Sequence, residues 1–137
     1  MAKTGKQVQG DVRELLIGSA LYSMVSGEVY RDGMRPRDSR KEDIVVVFTS
    51  GNTAQVQSGV VTVKIYVPDI DPYQNGILTE DGARLEEIEE AAQTFVDGIT
   101  LPNYLFRLAS TIHTAYDEEV NQHFVVVRLQ FRYGENN

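Results

Sequence analysis

Helical spacing gives way to strict alternation twice along this chain, and that order constrains the fold more than any single residue. Val12, Leu15, Leu16, Ala20, Met24 and Val25 recur at the helical period, which predicts a helix over 11–26. Two alternating strands follow, at 44–50 and 54–67. A second helix over 80–97 would bury Leu85, Ile88, Ala92, Phe95 and Val96, and strands at 105–116 and 123–133 repeat the pattern. The doubled unit predicts an α+β domain of αββαββ order, an antiparallel sheet with two helices packed on one face.

Punctuation residues set the boundaries. Asp11 suits an N-cap, and Gly27 suits the left-handed position after a helix. Glu28 to Tyr30 reads as a short strand, and 31–43, with Gly33 and Pro36, as a loop. Gly51-Asn52 signals a hairpin, Gly59 a bulge in the returning strand, and Thr79 a cap for the second helix. In the long strand Val61, Val63, Ile65 and Val67 face one way, and Thr62, Lys64 and Tyr66 the other. In the last strand Val125, Val127, Leu129, Phe131 and Tyr133 oppose Phe124, Val126, Arg128, Gln130 and Arg132. Residues 1–10 read as a flexible arm, 11–133 as a single domain and 134–137 as a flexible tail.

With 137 residues, one core is large enough to fold alone. No apolar run approaches the roughly 20 residues of a membrane span. The polar stretch 1–10, with Lys3 and Lys6, carries no apolar segment of the secretory kind. No cysteine is present, which excludes disulfides and cysteine-ligated metals.

Net charge is −7, too acidic for a surface that coats nucleic acid. The charges are nonetheless segregated. Arg31, Arg35, Arg37, Arg40 and Lys41 crowd one segment, while Glu80, Asp81, Glu86, Glu87, Glu89 and Glu90 open the second helix. Opposite patches on one small body suit contact between copies, with solvated surface as the plainer reading.

Reactive constellations are weak. Asp69 to Glu80 has some calcium-loop spacing, but from one start Tyr73 and Gln74 occupy the fifth and sixth positions, a ligand and the turn glycine, and from the other Tyr73 and Gly82 occupy ligand positions; an Asx-rich turn fits better. His113 and His123 flank Asp117, Glu118 and Glu119 and would hold a divalent ion only if register joined them. There is no nucleophile elbow, no phosphate-cradling glycine loop and no isolated carboxylate pair. No catalytic residue, cofactor or metal is assigned.

Met24-Val-Ser-Gly-Glu-Val-Tyr30, Arg35-Pro-Arg-Asp-Ser39, Glu42-Asp-Ile-Val-Val-Val47, the strand 59–67, the helix 84–95 and His123-Phe-Val-Val-Val-Arg-Leu-Gln-Phe131 carry a resemblance. Over roughly 11–133 the chain resembles the tail-completion proteins of long-tailed bacteriophages, the tail-terminator and head–tail joining group. The resemblance implies a non-enzymatic virion protein at the neck, made in the bacterial cytoplasm. It implies a ring, commonly a hexamer, that caps the tail tube, docks to the head connector or neck protein, and lets duplex DNA pass without tight binding. It supplies no ligand residues. Arg31, Arg35, Arg37, Arg40, Lys41, Glu86, Glu87, Glu89 and Glu90 are the subunit-interface candidates, and Glu87 and Glu90 are also candidates to line the channel. The competing readings are a stand-alone ferredoxin-like ligand-binding or regulatory domain and a small metal enzyme built on the two histidines.

Overall fold

The computed structural model describes residues 2–134. Among these, three helices and a six-stranded, mostly antiparallel sheet follow the order α1 (Gly5–Ile17), α2 (Ala20–Met24), β1 (Val29–Arg31), β2 (Ile44–Thr53), β3 (Gln57–Val67), α3 (Gly82–Asp97), β4 (Tyr104–Leu108), β5 (His113–Asp117) and β6 (Gln122–Tyr133). The chain is mixed α and β, but the αββαββ order is corrected: each half is helical and then has three strands. The expected tail lies outside the described residues except for Gly134, whose N–H donates to the Asn103 carbonyl.

The N-terminal arm is replaced by helix. Thr4 Oγ1 accepts from the Gln7 N–H, and Gln7 Oε1 accepts from the Thr4 N–H, so a reciprocal cap starts α1 at Gly5 rather than Asp11. Val8, Val12 and Leu16, four residues apart, then form its buried stripe. Ser19 starts a separate short helix by accepting from the Tyr22 N–H. Gly27 does not take a left-handed C-cap. A Cβ there would lie 2.6 Å from the Glu42 carbonyl oxygen, so it is close approach that requires glycine.

The sheet runs β1-β2-β3-β6, with β4 and β5 both along the far side of β6. β1 is parallel to β2, against the all-antiparallel expectation. The predicted strand 105–116 is interrupted. Five positions separate Leu108 from His113, but only three separate their partners Leu129 and Val126, so two extra residues loop out between β4 and β5. An even offset preserves which side chains face the core. β3 and β4 each oppose β6, so they are parallel to each other and α3 is the crossover of a split β-α-β unit.

One core lies between the sheet and the helices. Val46, Val61, Val63, Ile65, Val125, Val127, Leu129 and Phe131 meet Val8, Val12, Leu16, Leu21, Leu85, Ile88, Ala92 and Val96, so three helices rather than two contribute. Each full burial of a Val, Leu, Ile or Phe here is worth about 1.5–3 kcal/mol, and a one-residue slip of β3 or β6 would turn that strand's share of the set to the other face. The ladder irregularity lies in β2, between Phe48 and Ser50, rather than at Gly59. Gly59 is where a Cβ would meet the Ser50 carbonyl oxygen at 2.2 Å and the Phe131 ring at 2.8 Å. On the opposite face Val45, Tyr66, Phe124 and Val126 form a small cluster with Tyr30, Val47, Ala115 and Val120, strand and loop residues without a helix above them.

Candidate interaction surface

The basic segment after β1 folds onto the end of the sheet. Arg35 Nε donates to Asp43 Oδ2 at 2.9 Å and Nη2 to Gln122 Oε1 at 2.8 Å, with the guanidinium 3.9 Å from the Tyr66 ring centroid. The two charged side chains are only 8% and 1% exposed, so this is a buried pair. Asp43 also accepts from the Ser39 hydroxyl and the Glu28 N–H, which satisfies its oxygens. Burial, then the hydrogen bond donated to Asp117, pushes the Tyr66 phenol well above its ordinary value.

Arg31 is likewise committed. Its Nη1 donates to the Lys6 carbonyl and to Gln9 Oε1, both at 3.0 Å, tying β1 to α1. Arg31 and Arg35 are therefore withdrawn from the exposed interface set. Arg37 stays exposed beside Glu119, and Arg40 and Lys41 are exposed. On α3, Glu86, Glu87 and Glu90 are exposed, while Glu89 accepts from the Thr114 hydroxyl at 2.8 Å.

The two charged segments do meet within the chain, through their minority charges. Arg84 of α3 donates to both oxygens of Glu42 at 2.6 and 2.9 Å, and to the Met24 carbonyl. The guanidinium holds the Glu42 carboxyl below its ordinary range.

Register separates the two histidines. His113 opposes Val126 and His123 opposes Tyr116; 126 and 123 differ by an odd number, so the rings project from opposite faces and cannot share an ion. His123 instead contacts Asp69 at 2.7 Å, with Glu80 at 3.8 Å. Among the described residues no metal-binding cluster of three histidine or acidic side chains is present. The loop before α3 is rich in Asx contacts: Asn75 Oδ1 accepts from the Ile77 N–H two residues on, an Asx turn, and Asp71 accepts from the N–H groups of Asn75 and Gly76. Its helix cap is Asp81, while Thr79 bridges to Ile70.

Three surfaces remain. The 68–79 loop exposes Tyr73 (79%) and Ile77 (64%). A groove of about 450 Å³ lies between α1 and β4, where Asp11 accepts from both Lys3 and the Tyr104 hydroxyl. Burial, then that hydrogen bond, raises the Tyr104 phenol. The third surface is the uncovered sheet face. Register puts Lys64, Arg128, Arg132 and Arg107 on that face with Thr62, Gln130 and Leu105. The alternation Arg128, Gln130, Arg132 signalled one row of it, but grouping it with Lys64 and Arg107 requires the pairing. No helix among the described residues is long and apolar enough to cross a membrane.

No family profile and no curated protein matches the chain. Among solved structures, one chain whose name states no function aligns with 100% of this chain and 99% of its own length, at a TM-score of 0.50 and 10% identity. That likeness concerns the fold alone.

Proposed function

We propose that this chain is a non-enzymatic structural protein that forms a ring at the junction of a phage tail and head, as a tail terminator or head–tail joining protein. The observation that supports the reading best is the sheet face left without a helix. The exposed Tyr73 and Ile77 of the 68–79 loop add a second apolar contact surface. The sequence resemblance supplies the setting. Its partners would be further copies, commonly six, the tail-tube protein and the head connector or neck protein, within a virion assembled in the bacterial cytoplasm.

The mechanism is steric. One rim of the ring repeats the contacts of a tube layer and ends its growth; the other offers a different surface to the neck. A net charge of −7 per copy favours a channel that duplex DNA crosses without tight binding. Sedimentation velocity and negative-stain microscopy should show closed rings, and added protein should cap purified tail tubes. A strict monomer that leaves tubes uncapped would overturn the reading.

The groove between α1 and β4 favours a second reading, a stand-alone ligand-binding or regulatory domain of ferredoxin-like type, since about 450 Å³ is within the range of small-molecule sites. A monomer whose melting temperature rises with a small molecule, and falls back on Tyr104→Phe with Leu15→Ala, would favour it.

A further inference from the structure

The open face of the sheet has a basic half. Arg128 and Arg132 lie on β6, Arg107 of β4 opposes Gln130, and Lys64 of β3 opposes Val126. The three arginines are exposed. The one carboxylate among the paired strand positions of this face is Asp117, at the other end, where it accepts from Tyr66. Asp32 and Glu119 also lie at that other end, near Arg35 and Arg37, in a pocket that Lys64 lines from the boundary of the two halves. In a chain of net charge −7, three exposed arginines on a face without a covering helix, with Lys64 at its boundary, call for an acidic occupant.

The chain carries such a surface on its opposite side. α3 buries Leu85, Ile88, Ala92 and Val96 against the sheet, which turns Glu86, Glu90, Gln93 and Asp97 outward as one ridge at spacings of four, three and four. At 1.5 Å per residue the ridge from Glu86 to Asp97 is about 17 Å long. Lys64, beside Val126, to Arg132 spans six strand positions, about 20 Å at 3.3 Å each. Charge sign and length both match.

We infer that the basic half of the open sheet face docks the outward ridge of α3 from a second copy of this chain. The two surfaces lie on opposite sides of one sheet, so the contact is head to tail. Such a contact propagates into a ring if its rotation closes and into a filament if it does not. Leu105, 70% exposed opposite Arg132, supplies an apolar anchor. This inference rests on the ring-forming reading and assigns its interface; it places α3 in the contact instead of lining a channel with Glu87 and Glu90.

The test pairs two charge reversals. Arg128→Glu with Arg132→Glu should weaken self-association by about a hundredfold in sedimentation velocity, with an unchanged melting temperature because both side chains are exposed. Adding Glu86→Lys and Glu90→Lys in the same chain should restore it. Parent association should also weaken as salt rises from 50 to 500 mM, a range chosen to shorten the screening length about threefold. If the parent forms rings and the double reversal forms them equally well, the interface lies elsewhere; this inference falls and the ring reading stands. If the parent stays monomeric up to millimolar concentration, both fall. If the parent binds a 30-base-pair duplex at physiological salt and the reversal abolishes it, the face takes phosphate rather than a second copy, and the inference is overturned.

Discussion

The segment 31–41 and helix α3 carry similar densities of opposite charge, and the fold treats them differently. Two of the five bases are turned inward: Arg31 to Gln9 and the Lys6 carbonyl, Arg35 to Asp43 and Gln122. Most of the α3 acids remain in water because the apolar stripe beneath them fixes the rotation of the helix. A helix presents one face by its periodicity, so its charged side stays outside whatever lies around it. A loop has no period and turns each residue wherever a partner waits. Charge density in a helix therefore predicts surface; charge density in a loop predicts only that partners must be found.

The largest effect that tests this contrast is at Arg35. Arg35→Met leaves Asp43, 1% exposed, without its cation. The expected loss is about 3–5 kcal/mol, because a buried carboxylate stripped of its partner costs more than the pair contributes. Urea unfolding measures it directly. Arg35→Glu should be worse still, because it sets a second carboxylate against the buried Asp43. A loss under about 1 kcal/mol would mean that Asp43 is not held by Arg35, and the inward reading of this loop would fail.

How far the sequence revealed this depends on the range of each interaction. β3 and β6 were legible because alternation is local and burial enforces register. The cap at Thr4 and Gln7 was equally local, a Thr-x-x-Gln signature, but glycines and lysines around it made the stretch resemble an arm. The break between β4 and β5 has no such signature: two extra residues at 109–112 are tolerated because β6 continues past them. Arg35 lay beyond sequence reasoning for a further reason. Its bond to Gln122 spans 87 positions, so nothing near Arg35 announces that it is buried. The basic sheet face was half visible, as alternating Arg128 and Arg132, while the residues that widen it come from other strands.

An intermediate effect comes from the ion pair between Arg84 of α3 and Glu42, which directly follows the basic segment. Glu42→Gln should cost about 1–3 kcal/mol at neutral pH, since Arg84 donates to both oxygens and hydrogen bonds to charged groups are worth that much. The pH dependence has a definite sign. Arg84 holds the folded Glu42 carboxyl below its ordinary value of 4.5, so the folded chain binds fewer protons than the unfolded one between those two values. The stabilisation is complete above 4.5 and is lost as pH falls through the depressed value. The gap between parent and variant in urea titrations should therefore be constant near neutrality and close on acidification. A gap that persists at pH 2 would assign the loss to packing instead of charge.

The smallest effect is expected two residues from the largest. Arg37 lies in the same loop as Arg35 and also faces a carboxylate, Glu119, at 3.4 Å. Its side chain is 84% exposed and that of Glu119 74%, so water already solvates both and ordering two long side chains offsets the attraction. Arg37→Ala should change stability by less than about 0.5 kcal/mol, and a double-mutant cycle with Glu119→Ala should return a coupling near zero. Set against Arg35→Met, this compares two arginines of one segment, each paired with an acid, that differ chiefly in burial. Equal losses at the two positions would break the argument, because a loop that used both arginines alike would owe its stability to charge density rather than to which side chain is enclosed. A coupling above about 1 kcal/mol at Arg37 would also put a structural role on a residue here left free for contact between molecules.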